Sequence, residues 1–155
     1  MASFLIFCYN KAMKNELFEK RNIKEKLFCK FQTSANTLWV LADDKVTFRG
    51  SGKGIKPLVR LIKKRIDFLK DKIIFDKIIG RAAALLLVYA GIAEVHTEVI
   101  SRQAIKIFKK YKIFHQYRKS VARILNRDKS GGCPFEKMAN GKTPAKFYNM
   151  IKNKF

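Results

Sequence analysis

Glu94-Val95-His96-Thr97-Glu98-Val99-Ile100, followed at once by Ser101, decides the class of fold. Its β-branched residues and its mixture of apolar and polar side chains predict a strand. Ser101 predicts a helix N-cap, because a serine hydroxyl accepts from an amide that the first turn leaves open; the helix should run through Lys110. Working outward, Lys112 to Gln116 predicts another short strand and Ser120 to Leu125 another helix. Thr143 followed by Pro144 predicts a last helix by cap and first-turn residue. Upstream, Thr37 to Leu41 and Lys45 to Arg49 alternate around Ala42-Asp43-Asp44, the pattern of a β-hairpin. A helix should begin near Ile55 with Pro57 in its first turn, its core face formed by Leu58, Leu61, Ile62, Arg65, Ile66 and Leu69. The stretch from about Asp76 to Tyr89 is apolar almost all round and predicts a buried helix ended by Gly91. Strands and helices that alternate in this way predict a three-layer α/β domain with a mixed β-sheet.

The chain of 155 residues, 48% apolar, suffices for one domain with a real core. Residues 1–35 read as a basic helical N-terminal extension, in which glutamates interleave with lysines beside Leu17, Phe18, Ile23, Leu27 and Phe31. Residues 36–155 read as the domain proper. Met13 marks an alternative start, so residues 1–12 are expected to be an upstream extension. Cys8, Cys29 and Cys133 are odd in number and far apart, which points to a reducing cytoplasm and not to a disulfide framework. The longest apolar run, Ala82 to Ala93, falls short of the roughly 18 residues that a membrane helix needs. The expectation is a cytoplasmic protein with no membrane contact.

The net charge is +22. No acid stands between Asp44 and Asp67 or between Glu98 and Asp128, and after Glu136 every charged side chain is a lysine. Such a surface attracts polyanions, with a strong dependence on salt, and non-specific nucleic-acid binding follows from charge alone. The lysine excess, with many Ile, Phe and Asn, is also what AT-rich coding produces. Arginine, the better residue for bidentate phosphate contacts, is the minority cation. Gly50-Ser51-Gly52-Lys53-Gly54 lacks the glycine and the hydroxyl that a phosphate loop requires, Thr47 and Gly54 standing in those places. It reads as a turn into the next helix.

The densest chemistry lies in Asn126-Arg127-Asp128-Lys129-Ser130-Gly131-Gly132-Cys133-Pro134-Phe135-Glu136-Lys137. Together with Gly54 to Leu58, Asp76 to Leu86 and Val95 to Ser101, this segment resembles a small uncharacterised prokaryotic family of the cytidine-deaminase-like fold. The resemblance runs from about Thr37 to Met138. Lys129 and Phe135 depart from the family's usual glycine and methionine. What it implies is a deaminase-like sandwich without deaminase chemistry. A zinc deaminase needs His-x-Glu on a central helix and Pro-Cys-x-x-Cys at the start of another. Here the corresponding places read Ile79-Gly80-Arg81-Ala82 and Ser101-Arg102-Gln103-Ala104. No metal or cofactor is expected, and His96 and His115 read as structural histidines.

Three readings of the 126–137 segment stay open. In the structural one, Cys133 is an N-cap, Pro134 the first helical residue, and Glu136 reaches back to the cap amide. In the enzymatic one, Cys133 at a helix start among cations is a thiol nucleophile, with Glu136 or Asp128 handling protons. In the third, Asn126, Arg127 and Gly131 hold a small anionic or nucleotide-like ligand with Arg81 as a second anchor, unless Arg81 pairs with Asp76 on its own helix.

Overall fold

The computed structural model describes residues 2–126 and 128–155, with side chains from Glu16 onward. A long helix α1 (Ala2–Thr33) precedes the hairpin β1 (Leu38–Ala42) and β2 (Lys45–Gly50). Then follow α2 (Lys56–Leu69), β3 (Ile73–Ile79), α3 (Arg81–Tyr89), β4 (Glu94–Ser101), α4 (Arg102–Lys110) and β5 (Phe114–Val121). Two short helices, α5 (Pro134–Met138) and α6 (Pro144–Ile151), close the chain. Among the described residues no helix is long and apolar enough to cross a membrane.

The strands form one mixed sheet in the order β2-β1-β3-β4-β5. β1 is antiparallel to both β2 and β3, whereas β3, β4 and β5 run parallel. Side chains of β1 alternate between two cores, as a strand buried on both faces requires. Leu38 and Val40 join Ile74 and Val95 beneath α2, α3, α4 and α6. Trp39 and Leu41 join Phe75 on the opposite face, against Phe28 and Phe31 of α1. The result is a three-layer α/β molecule with α1 alone on one side of the sheet.

Most expected elements lie where the pattern puts them. The Ser101 hydroxyl accepts from the amide of Ala104 at 3.1 Å, and the Thr143 hydroxyl accepts from that of Lys146 at 3.3 Å. Gly91 leaves α3 at φ +69°, the left-handed turn that glycine takes most easily. Three expectations are corrected. The helix expected over Asp76–Tyr89 is a strand, β3, then Gly80, then a shorter helix. β3 buries the adjacent residues Ile74 and Phe75 on its two faces, so the alternation of a half-buried strand is lost there, and Asp76 to Ile79 merge in sequence with the apolar helix that follows. The last strand begins at Phe114 and continues to Val121, because Lys112, at φ 57°, is still in the turn after α4. The helix expected over Ser120–Leu125 is therefore absent: its first residues complete β5, and Leu125 makes an isolated bridge to Gly132.

Candidate functional site

Downstream of β5 the chain folds back on itself in a tight hydrogen-bonded loop. The amide of Cys133 donates to the carbonyl of Ile124 at 3.1 Å, and that of Asn126 to the carbonyl of Gly131 at 2.9 Å. Asn126 closes the loop with its side chain as well: Oδ1 accepts from Gly131 N at 3.0 Å, and Nδ2 donates to Ser130 Oγ at 3.0 Å. Asp128 accepts from the hydroxyl of Ser130 at 2.9 Å and from its amide at 3.3 Å. The Ser130 hydroxyl is the main cause holding the Asp128 carboxyl below its usual pKa. Asn126 and Gly131 thus spend their polar atoms inside the loop, and Asp128 spends one carboxylate oxygen there, in the manner of Asx turns. Arg127 lies outside the described residues.

The loop delivers α5. Cys133 occupies its N-cap and Pro134 its first turn, as the spacing predicts, but no side-chain hydrogen bond caps this helix. The expected return of Glu136 to its own cap is corrected. Its two oxygens accept from the backbone amides of Arg81 and Ala82, each at 2.8 Å, at the start of α3. The physical reason lies at Gly80. As N-cap of α3 it brings no side chain to satisfy those amides, and a Cβ there would collide with the Glu136 carboxylate. A carboxylate against a helix N-terminus gains from both the open amides and the helix dipole. Both oxygens of Glu136 are thus directed at the start of α3.

Cys133 itself is half-buried, and among the described residues it has no side-chain hydrogen bond to any base. The histidines are occupied elsewhere. His96 pairs with Glu94 on β4, and His115 bonds the carbonyl of Ile113 and packs on Phe108.

Arg81 is the first residue of α3, and its amide is the one that Glu136 caps. Its guanidinium does not reach Asp76, which lies back on β3; Nη1 donates to Asn140 Oδ1 at 2.6 Å. Thus oriented, Arg81 lines an open cleft of about 240 Å³ with Gln103, Lys106 and Lys110 of α4 and Lys142 of the turn before α6. Tyr111, 37% exposed, stands on its rim. No acid lines the cleft, and none of its cations belongs to a described ion pair. Sequence reasoning singled out Arg81 but not Gln103, Lys106, Lys110 and Lys142, which the structure brings beside it. The signal was the spacing of Lys106 and Lys110, one turn apart on α4 and off the face that buries Ala104 and Phe108.

The starts of α3 and α4, the places that the resemblance compares with a deaminase zinc site, carry Gly80-Arg81-Ala82 and Ser101-Arg102-Gln103. None of these side chains is a zinc ligand, and the nearby carboxylate of Glu136 is bound to amides. Among the described residues no group of three or more His, Cys, Asp or Glu could hold a metal ion. The residues present do not fit zinc.

Residues 26–155 match the family model described as TM1506, domain of unknown function DUF1893. Among solved structures, the chain is similar to the crystal structure of a DUF1893 family protein, TM1506, from Thermotoga maritima. The two share 28% identity with a TM-score of 0.78, over 86% of this chain and 90% of that one. No curated protein matches the chain.

Proposed function

Because the chain belongs to the DUF1893 family, whose description carries no activity, we propose a function from the geometry itself: the cleft beside Arg81 binds a small anionic, nucleotide-like ligand without transforming it. The observation that carries this reading is the set of cations Arg81, Lys106, Lys110 and Lys142, gathered around one concavity with no acid among them. Like charges so placed repel one another, and an incoming phosphate or carboxylate relieves that repulsion. Arg81 is the orienting member, because Asn140 fixes its guanidinium and leaves its remaining donors for the ligand. Tyr111 offers a flat surface at the rim for an attached base. Glu136 already fills the anion position at the start of α3, so the ligand is held by side chains and not by the helix amides.

The strand order and the mixed sheet support a cytidine-deaminase-like architecture, in which the region near the α3 start is the pocket by fold analogy. The 126–137 loop then contributes indirectly, by seating Glu136 and with it the backbone of Arg81.

The test is calorimetric titration of nucleoside monophosphates and inorganic phosphate at near-physiological salt. Arg81→Ala and Lys110→Ala should each weaken binding about tenfold, the effect of removing one charge-assisted hydrogen bond. Unchanged affinity in both variants would remove the cleft from the account. A bound ligand at about 100 times its dissociation constant should also stabilise the fold by about 2.7 kcal/mol.

A further inference from the structure

The sheet ends in two edge strands, and they are not built alike. β2 is bulged at Thr47, where its register with β1 shifts between Val40 and Leu41. A bulge bends an edge and spoils it as a template for another strand. β5 has no such interruption: it keeps one register with β4 from Phe114 to Val121. Among the described residues no backbone hydrogen bond reaches β5 from any segment other than β4. Its free side therefore presents a regular row of N–H donors and C=O acceptors along a strand of eight residues.

The two faces beside this edge differ in charge. On the α1 face a cavity of about 440 Å³ lies between helix and strand, lined by Glu25, Phe28, His96, Gln116, Tyr117 and Arg118. Its charged walls Glu25 and Arg118 are paired with each other, so it makes no demand for an ion. On the other face His115 packs on Phe108 of α4, and strand alternation places Tyr117 and Lys119 on the side of His115. α4 brings Arg102, Lys106, Lys109 and Lys110 to this layer, and no acid. An extended chain laid along β5 thus meets a hollow without net charge on one face and cations on the other. A second copy of this chain would add its own Arg118 and Lys119 to the same edge, which like-charge repulsion opposes.

We propose that the free edge of β5 docks an extended acidic segment of a partner protein, which adds a sixth strand to the sheet. The backbone of that segment pairs with β5, and its acidic side chains face Lys119 and α4. The uncharged side chains that alternate with them enter the cavity beside Gln116 and Arg118. This docking does not depend on the Arg81 cleft.

The probe is the peptide Glu-Thr-Glu-Thr-Glu-Thr-Glu, acetylated and amidated at its ends, at near-physiological salt. Its control is the same peptide methylated on every backbone nitrogen, which carries equal charge but cannot donate to a strand. Calorimetry gives the affinities, and amide hydrogen exchange followed by NMR gives the place of binding. The first peptide should slow exchange of β5 amides and leave those of β2 unchanged. The methylated peptide should bind at least about tenfold more weakly. Lys119→Glu, at an exposed edge position, should weaken the first peptide by at least about the same factor. Equal binding of the two peptides would reduce the contact to bulk charge, and β5 exchange unchanged by the peptide would remove the edge from the account. Slowing at β5 that rises with protein concentration alone would assign the edge to a second copy, and equal slowing by an oligothymidylate would assign it to nucleic acid. Each of these four results would overturn the proposal.

Discussion

The Glu136 carboxylate caps α3 from another element so closely that a Cβ at the cap position would strike it, and Gly80 supplies that space. Glu136→Ala should destabilise the fold by about 2–4 kcal/mol, since it leaves two amides without their charged partner. Gly80→Ala should cost about 1–3 kcal/mol by overpacking. The double variant, measured by urea unfolding, should cost less than the sum of the two, because a Cβ at position 80 has nothing to strike once the carboxylate is gone. Strict additivity would show that the two residues do not touch in this way. Asp76 gives a pH signature. Burial raises its pKa from 3.8 to about 7, against hydrogen bonds from the amides of Ile78 and Lys77. The folded chain then binds a proton that the unfolded chain has released, so stability falls as pH rises from about 4 to about 7. Asp76→Asn should flatten that part of the profile of unfolding free energy against pH. The local side of these residues was legible: Cys133-Pro134 announces a helix start, and it is one. The target of Glu136 was not, because the hydrogen bonds span 54 and 55 residues and leave no trace in local spacing.

At the scale of elements, legibility followed the way each element meets water. Helices α2 and α4 each have one buried face and one basic face, and their extents were readable from that contrast. β3 has no wet face in its first half, where Ile74 and Phe75 are both buried, and its second half, Asp76 to Ile79, ran on in sequence into the apolar helix beyond Gly80. The edge strand β5 failed in the opposite sense. It is exposed along most of its length, and Arg118, Lys119 and Ser120 look no different from loop. Charged side chains at such a position also discourage pairing with another chain. Helix α1 holds its face of the sheet through Phe28 and Phe31, the latter edge-on to Trp39 with ring centres 5.4 Å apart. Phe31→Ala should cost about 3–5 kcal/mol and alter the fluorescence of Trp39, the sole tryptophan. A cost below about 1 kcal/mol would mean that α1 is not part of the cooperative unit.

The whole molecule is electrostatically two-faced. Every described ion pair lies on α1 or on the strand face beneath it, among Glu16, Lys20, Lys24, Glu25, Glu94, His96 and Arg118. The opposite layer carries its lysines and arginines without described ion pairs, so the +22 of the chain is felt chiefly there. Binding of a generic oligonucleotide should therefore fall steeply between low and physiological salt. Replacing Lys106 and Lys110 with glutamine should lower the log–log salt slope by about 0.7 for each single-strand phosphate that the two lysines no longer neutralise. An unchanged slope would place the polyanion elsewhere on the surface. The sequence shows the charge excess but not which side carries it, since that depends on where the few acids fold.

The bond from Glu136 to the start of α3 also has a consequence in time. It closes a span of 55 residues, and a contact so distant along the chain forms late, after the sheet and its crossing helices have already reduced the conformational search. Interactions absent from the folding transition state govern how fast a molecule comes apart more than how fast it assembles. Glu136 is then a latch on the exit path: it slows the release of the C-terminal segment from a sheet that has already formed without it.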